Sequence, residues 1–295
     1  MKAYSIHCDP APGEYPVAMS TTVAEPQLLS REQIAFYHRE GYLIVPQVFS
    51  PDEVQAIADH FDGLIQGRWS IPAEYQNHWV PETDSPDMWR RYPRVMFPHR
   101  FDALSKRMLL HPRVHVILRQ LLNDEPIAAQ SMFYFKAPGS RGQALHQDNF
   151  YLQVEPHTCI AAWTAIDPAT KENGGLWVVP NTQDHEIVCP EVADEKESAF
   201  RDFVRPPPGK KAIPTHLNPG DTLFFNGNVI HGSGPNRHPT LWRRSFICHY
   251  FPASARCINR GYFPLLNFNG DEVSYEASTS GGPCGVEHAA LSYGA

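Results

Sequence analysis

The sequence has no uninterrupted apolar run of about 18 residues, the length that a membrane-spanning helix needs, and it begins without the apolar core of a signal peptide. It has no run of Lys or Arg that could follow a phosphate backbone, and its formal charge is −7. Its six cysteines form no Cys-x-x-Cys pair, which gives a zinc finger no support and is typical of free thiols in a reducing compartment. We therefore expect a cytoplasmic protein with neither nucleic acid nor a membrane as its partner.

Length and composition favour one domain with a β core. The chain has 295 residues, and no break in composition divides it. Its 28 prolines and 19 glycines predict many turns, which disfavours a helical bundle. We divide the chain into an extended, proline-rich arm at 1–27 and a single domain at 28–295. Within that domain we expect a helical part at 28–125, a β core at about 130–252 and a C-terminal tail at 253–295.

Local patterns predict the elements of this domain. Capping boxes at Ser30 to Gln33 and at Ser50 to Glu53 predict two helix starts, and Gly41 is placed to end the first helix. Six apolar and aromatic segments bounded by turn residues predict strands at 131–136, 144–154, 158–166, 175–179, 221–225 and 244–251. Many short strands joined by turns favour an antiparallel double-sheet barrel.

Two long segments have no regular period. The aromatic-rich stretch 68–100 has two interpretations that the sequence leaves open: a lid or pocket wall, or packing over one end of a sheet. The stretch at about 184–216 is rich in charge and proline, and it predicts a surface excursion between two strands.

A His-x-Asp pattern, which could offer one imidazole and one carboxylate to a metal ion, occurs three times: at His7/Asp9, His60/Asp62 and His146/Asp148. The second pair lies on a predicted helix, where residues two apart point in nearly opposite directions. The first lies in the proline-rich arm, where no rigid scaffold supports a site. On a strand, residues two apart share a face, so His146 and Asp148 are the candidate pair.

The candidate third ligand is His231, which lies in a glycine-flanked segment after another predicted strand. Two histidines and one carboxylate leave three coordination positions free, an arrangement that suits non-haem iron(II) and oxygen chemistry. Hydrolysis by zinc is the chemical alternative.

Several motifs together resemble one known family, the phytanoyl-CoA dioxygenase family of iron(II)- and 2-oxoglutarate-dependent oxygenases. The likeness covers about residues 30 to 252 and includes the early segments Gly41 to Val45 and Phe49 to Glu53. The motifs that match in order and spacing are Leu145-His-Gln-Asp148, Ala162-Trp-Thr-Ala165, Asn173-Gly-Gly-Leu-Trp-Val-Val-Pro180, Pro219-Gly-Asp-Thr222 and His231-Gly-Ser-Gly-Pro-Asn236 with Arg243.

The resemblance implies a mainly β fold with flanking helices, in which a double-stranded β-helix forms a jelly-roll, cupin-like core. It implies iron(II) bound by His146, Asp148 and His231, with 2-oxoglutarate and O2 as co-substrates. The implied reaction is oxidation, most simply hydroxylation, of an unactivated C–H bond of a small organic molecule, with release of succinate and CO2. A non-catalytic metal- or ligand-binding barrel and a metal-dependent hydrolase are the alternatives.

The family also places an arginine after the distal histidine to bind the far carboxylate of 2-oxoglutarate. The family's usual spacing falls on Trp242, whereas counting back from His249 selects Arg243 and leaves Arg244 as the alternative. Adjacent strand residues face opposite ways, so only one of the two arginines can enter the pocket.

Four further pocket residues follow from the same resemblance. It implies that Ser233 and Tyr134 donate hydrogen bonds to the co-substrate and that Trp163 and Gln147 line the pocket. For Trp163 and Gln147, ordinary filling of the barrel is an equal alternative.

Overall fold

A computed structural model of the chain describes residues 28–156, 158–278 and 284. The arm expected at 1–27 lies outside these residues. The α-helices are α1 (Arg31–Glu40), α2 (Pro51–Ile65), α3 (Met88–Arg91), α4 (Ala103–Leu109), α5 (Pro112–Leu122) and α6 (Asn149–Leu152). In the part of the chain that is described, no helix is both long and apolar enough to cross a bilayer.

The strands are mostly short and concentrate after residue 125. They are β1 (Tyr42–Val45), β2 (Val95–Met96), β3 (Pro126–Tyr134), β4 (Gln143–His146), β5 (Ile160–Ala165), β6 (Leu176–Val178), β7 (Glu191–Val192), β8 (Asp202–Phe203), β9 (Ile213–Pro214), β10 (Thr222–Asn226), β11 (His231–Ser233), β12 (Ser245–Pro252), β13 (Cys257–Ile258), β14 (Leu265–Leu266), β15 (Glu272–Val273) and β16 (Glu276–Ala277).

The first two helices begin as the sequence predicts. The Ser30 hydroxyl accepts a hydrogen bond from the Gln33 amide, while the Gln33 side chain accepts one from the Ser30 amide. Ser50 and Glu53 form the same reciprocal pair at the start of α2. Gly41 ends α1 with a φ of +82°, a left-handed conformation that glycine adopts without steric cost.

Two antiparallel sheets face each other. The larger has the order β1-β10-β5-β12-β3-β14-β15, with β2 also paired to β3, and the smaller has the order β4-β11-β6-β9. Trp163, Leu223 and Ile247 lie side by side on the larger sheet and face the inter-sheet core. Their chain neighbours Phe224 and Cys248 face the helices on the other side. The two stacked sheets form the predicted jelly-roll core, and the helices cover one outer face.

The predicted strand 144–154 is wrong beyond His146. After β4 the chain turns into the short helix α6, because the Asn149 amide donates to the Gly227 carbonyl (2.9 Å) and the Leu152 amide to the Asp148 carbonyl (3.1 Å). The Asn149 side chain then bonds both backbone polar groups of Val154 and closes the turn. These partners lie outside the strand pattern itself, so local alternation could not show where β4 ends.

The stretch 184–216 is not only a surface excursion. Its residues 197–204 run along the free edge of β4: the Gly142 amide donates to the Glu197 carbonyl (2.6 Å) and the Val204 amide to the Leu145 carbonyl (2.6 Å). This covering segment, residues 197–204, protects an edge that would otherwise be open for pairing.

The expectation of six free thiols is also wrong. Cys189 is bonded to Cys284, and Cys257 is disulfide-bonded as well, whereas Cys159 and Cys248 are free and buried. The bond to Cys284 joins the stretch 184–216 to the C-terminal tail. Cytoplasmic localisation stays a prediction.

Candidate metal centre and co-substrate pocket

Strand pairing brings the two candidate histidine ligands together. His231 on β11 lies directly opposite His146 at the end of β4. The Nδ1 atom of His146 lies 2.8 Å from the Ala144 carbonyl, and the Nδ1 atom of His231 lies 2.9 Å from the Val229 carbonyl. A carbonyl can only accept, so both Nδ1 atoms carry the proton and both Nε2 lone pairs are available to a metal.

Asp148 completes the cluster from the turn after β4. Its Oδ1 lies 3.5 Å from the Nε2 of His146 and 3.5 Å from the Nε2 of His231. Burial alone would raise the pKa of Asp148, but the neighbouring imidazoles of His231, His249 and His146 outweigh it and hold the pKa well below its usual range. The carboxylate is therefore ionised at neutral pH.

Burial has the opposite consequence for the imidazole of His231. It lowers the pKa of His231 to about 4, although the carboxylate of Asp148 acts against this shift. At neutral pH the imidazole is therefore uncharged, which is the form that binds metal ions.

These three residues fit iron(II). Their ligand atoms all lie within 4.8 Å of one another, and all three residues are buried. Two imidazole nitrogens and one carboxylate oxygen that leave further positions open toward a cavity form the donor set of non-haem iron oxygenases. The structure thus brings together the three ligands that the sequence predicts.

The other two His-x-Asp patterns do not compete with this site. His60 faces Asp102, whereas Asp62 pairs with Arg244, so the helix separates them as predicted. His7 and Asp9 lie outside the described residues.

His249 also belongs to the site, although in the sequence it served only to choose Arg243 over Arg244. Its Nε2 lies 2.9 Å from the Oδ2 of Asp148, and its side chain is buried. This contact fixes the carboxylate so that Oδ1 points toward the two histidines. Because Ser245, Ile247 and His249 follow Arg243 at a period of two on β12, the alternation rule could have identified His249.

Gln147 does not line the pocket, which corrects the sequence prediction. Its side-chain nitrogen donates to the carbonyls of Asn228 (2.9 Å) and Glu186 (3.2 Å), and its oxygen accepts from the Val188 amide (3.1 Å). Gln147 lies in the turn between His146 and Asp148, and these three hydrogen bonds hold its side chain away from the cavity.

A glutamine does lie at the metal centre, but it is Gln143. Its side-chain nitrogen is 3.0 Å from the Nε2 of His146, and the residue lines the cavity. The irregular pairing of β4 with β11 turns Gln143 inward, and nothing in the sequence pattern indicates that irregularity.

A cavity of about 240 Å³ opens beside the metal centre, between the two sheets. The other four predicted pocket residues, Tyr134, Trp163, Ser233 and Arg243, all line it. They come from the larger sheet, from β11 and from the segment that leads into β12.

Arg243 provides a buried positive charge at this cavity. Only 2% of the residue is exposed, its Nε donates to the Gly174 carbonyl (3.1 Å), and its Nη1 donates to the Ser245 hydroxyl (2.8 Å). Burial lowers its pKa to about 10, so the guanidinium stays charged at neutral pH. Its plane lies 5.2 Å from the ring centre of Trp163. A buried guanidinium that no described carboxylate neutralises is suited to bind the carboxylate of a ligand.

Arg244 faces the other way. Its guanidinium contacts both carboxylate oxygens of Asp62 (2.8 Å each) and both of Asp167 (2.8 and 2.9 Å). The structure thereby selects Arg243, which lines the cavity, whereas the positive charge of Arg244 is already matched within the protein.

The hydroxyl groups of Ser233 and Tyr134 are arranged as donors. Lys136 Nζ donates to the Ser233 oxygen (2.8 Å), and Arg94 Nη1 donates to the Tyr134 oxygen (2.8 Å). Each oxygen thus already accepts a hydrogen bond from a cation, so its own hydrogen is available to donate to a ligand. The Tyr134 hydroxyl also makes one long contact, 3.9 Å, to the Met132 sulfur.

The mouth of the cavity is formed by the two segments without a regular period. Arg94 and Met96 come from the stretch 68–100, and residues 200–202 come from the covering segment. The Tyr151 hydroxyl donates to Asp202 (2.6 Å), which ties α6 to the covering segment. The end of the stretch 68–100 therefore forms part of the pocket wall, whereas its aromatic residues Trp69, Tyr75 and Trp79 pack against the core between the helices and the sheet.

Comparison with known proteins shows the family and agrees with the fold. Residues 37–245 match the family model for phytanoyl-CoA dioxygenase (PhyH). A "Phytanoyl-CoA dioxygenase domain-containing protein 1" from Danio rerio is 31% identical over 250 residues, covering 71% of this chain and 86% of the relative.

Two solved structures have a similar fold. EctD from S. alaskensis, with 2-oxoglutarate and 5-hydroxyectoine, has a TM-score of 0.62 and 24% identity, and the match covers 80% of each chain. The epimerase SnoN, in complex with Fe3+, alpha ketoglutarate and nogalamycin RO, has a TM-score of 0.59 and 22% identity, covering 85% of this chain and 95% of that one.

Proposed function

The chain belongs to the phytanoyl-CoA dioxygenase family and is an iron- and 2-oxoglutarate-dependent dioxygenase, and from this premise we propose that it hydroxylates an unactivated C–H bond of a small organic molecule. The observation that carries the proposal is the arrangement of one buried His-Asp-His cluster and one unpaired buried arginine around a single cavity. Neither a zinc hydrolase nor a non-catalytic barrel needs that arginine.

The metal ligands are His146 Nε2, His231 Nε2 and Asp148 Oδ1. Iron(II) at this position supplies the activation of O2, with 2-oxoglutarate as the electron donor that leaves as succinate and CO2. The protein holds both imidazoles by their Nδ1 atoms and the carboxylate by His249, so the three ligand atoms are oriented before the metal binds.

Arg243 binds the far carboxylate of 2-oxoglutarate at the end of the cavity, and Ser233 and Tyr134 donate hydrogen bonds to it. Trp163 lies under the guanidinium and keeps it from turning away. Fixing this end of the co-substrate directs its keto acid toward the metal ligands, because Arg243 and the three ligands line the same cavity.

The substrate enters at the end of the cavity that lies opposite Arg243. Met96, Leu152 and Phe200 give this mouth an apolar surface, whereas Arg94 and Asp202 add polar groups at its rim. With a total volume of about 240 Å³, the cavity suits a small organic molecule or the end of a longer one. An intact carboxylate ligand at Asp148 favours hydroxylation over halogenation, which needs a free position there.

Anaerobic titration of the iron(II) protein with 2-oxoglutarate tests the proposal. We expect the weak visible absorption of the iron–keto acid chelate, and we expect its loss in His146→Ala and Asp148→Ala. With O2, succinate formation across a panel of small organic compounds should rise only with a compound that is also hydroxylated. If the wild-type protein showed neither the absorption nor succinate, the oxygenase function would be wrong.

A further inference from the structure

A second buried cation lies beside Arg243, just after the end of β3. Lys136 is only 2% exposed, and its Nζ donates to the Gly234 carbonyl (2.6 Å), the Ser233 hydroxyl (2.8 Å) and the Gly174 carbonyl (3.1 Å). The Gly174 carbonyl also accepts from Arg243 Nε (3.1 Å). The ammonium and the guanidinium are therefore neighbours that share one acceptor.

This pair of cations has no matching anion within the described part of the chain. Every hydrogen-bond acceptor of Lys136 is neutral, and so are those of Arg243. Asp167 is the acid whose charge reaches Arg243, but its carboxylate is bound by Arg244. Burial, followed by the charge of Arg243, lowers the pKa of Lys136 well below its usual value. Burying two adjacent cations without a contacting carboxylate costs free energy. An anion that binds in the cavity beside them lowers that cost.

The backbone around Lys136 is built to hold the side chain in this place. Lys136 has a φ of +25°, an uncommon conformation for a residue with a side chain. Its carbonyl oxygen accepts from Asn236 Nδ2 (3.1 Å) and from the Arg243 amide (3.2 Å), which keep the backbone in that conformation.

Gly174 provides the space for the tip of Lys136. A Cβ atom at Gly174 would lie 2.7 Å from Lys136 Cε and 2.9 Å from its Nζ, closer than real contacts allow. The glycine is thus needed for the lysine as well as for its own φ of +79°.

We propose that Lys136 is a positioning residue for the far carboxylate of 2-oxoglutarate, and that it selects dicarboxylic over monocarboxylic 2-oxo acids. Its Nζ occupies the lone pair of the Ser233 oxygen, so the hydroxyl hydrogen points toward the ligand. A carboxylate bound beside Arg243 favours the charged form of Lys136, and that charge then adds to the attraction for the carboxylate. This inference rests on the proposed function, because it takes 2-oxoglutarate as the co-substrate.

The test compares two ligands and a series of variants. Anaerobic iron(II) protein is titrated with 2-oxoglutarate and with 2-oxobutanoate, which has the same keto acid but no second carboxylate, and the chelate absorption gives both affinities. Lys136→Met removes the charge and the donors. Lys136→Gln removes the charge but keeps a donor, so it also serves if Lys136→Met fails to fold. Lys136→Arg restores the charge, and Lys211→Met makes the same change at an exposed lysine.

We expect Lys136→Met and Lys136→Gln to weaken 2-oxoglutarate binding about tenfold or more while 2-oxobutanoate binding changes little. Lys136→Arg should recover part of the preference, and Lys211→Met should match the wild type. Equal weakening of the binding of both ligands, or no change in the ratio of their affinities, would overturn the role proposed for Lys136 and leave the proposed function in place. A wild-type protein that forms no chelate with either ligand would instead overturn the proposed function, and this inference with it.

Discussion

Arg243 and Arg244 show how two identical neighbours acquire different roles. They follow one another immediately before β12 and point to opposite faces of the chain, as the alternation of an extended segment requires. Arg244 meets the carboxylates of Asp62 and Asp167, so its charge is matched within the protein. Arg243 meets only neutral acceptors in the described part of the chain, so its charge is left for a ligand.

This difference predicts different defects for the two arginine variants. Arg243→Ala should raise the KM for 2-oxoglutarate by roughly 10- to 100-fold, because a charge-assisted contact to its carboxylate is lost. Arg244→Ala should leave that KM near the wild-type value but lower the free energy of unfolding by roughly 2–4 kcal/mol, because two partly buried carboxylates lose their partner. Steady-state kinetics and denaturant unfolding measure the two effects. An equal rise in KM for Arg244→Ala would mean that the register is wrong.

Alternation along the strands accounts for part of the site at the level of single residues. It predicts that His146 and Asp148 cooperate, but Asp148 lies in the turn after β4, so hydrogen bonds outside the strand pattern place its carboxylate beside His146. The same rule, continued along β12 from Arg243, leads to His249. The position of Gln143 could not be predicted, because it depends on an irregular pairing between β4 and β11 that has no local signature.

At the scale of elements, the mouth of the cavity depends on contacts between two segments that the sequence left without regular structure. Arg141 joins them: its Nη2 lies 2.6 Å from the Oδ2 of Asp87, and its Nη1 donates to the carbonyls of Glu195 (2.8 Å) and Ser198 (3.1 Å). The Trp89 indole nitrogen donates to the Arg141 carbonyl (2.9 Å). The sequence could not show these contacts, because they link residues more than 50 positions apart.

Arg141→Ala should therefore loosen the mouth without disturbing the metal centre. We expect the KM for 2-oxoglutarate to change less than about threefold, whereas more succinate forms per molecule of hydroxylated product, because water enters a site that should be closed. The ratio of succinate to product, measured by chromatography, reports this uncoupling.

Arg237→Ala is a matched control for this prediction. Arg237 also pairs with the covering segment, through Glu197 (2.6 Å), but both side chains are more than half exposed and the contact lies on the surface. An exposed ion pair contributes little, so the ratio should match the wild type. A ratio that rises as much in Arg237→Ala as in Arg141→Ala would contradict a specific role for Arg141.

At the scale of the whole molecule, the two faces of the larger sheet have different roles. Its inner face contributes Tyr134 and Trp163 to the cavity, while its outer face packs against the helices through residues such as Phe133. Neighbouring positions on one strand thus serve the site and the core. The sequence predicted the starts of α1 and α2, most of the long core strands and their antiparallel class, because capping boxes and alternation are local signals. It did not predict the disulfide from Cys189 to Cys284 or the turn after His146, which depend on distant parts of the chain.

This separation predicts that stability can be lost while the site is kept. Phe61 on α2 is fully buried and stacks on Phe133 with ring centres 3.9 Å apart. Phe61→Ala should lower the free energy of unfolding by about 3–5 kcal/mol, because it leaves a cavity between helix and sheet. At a temperature well below unfolding, the affinity for 2-oxoglutarate should stay within about twofold of the wild type, since β12 pairs with β3 from Tyr134 to Pro126 with one irregularity. Phe36→Ala makes the same change on the half-buried face of α1 and should cost much less stability. Loss of 2-oxoglutarate binding in folded Phe61→Ala would show instead that the helical layer positions the residues of the site.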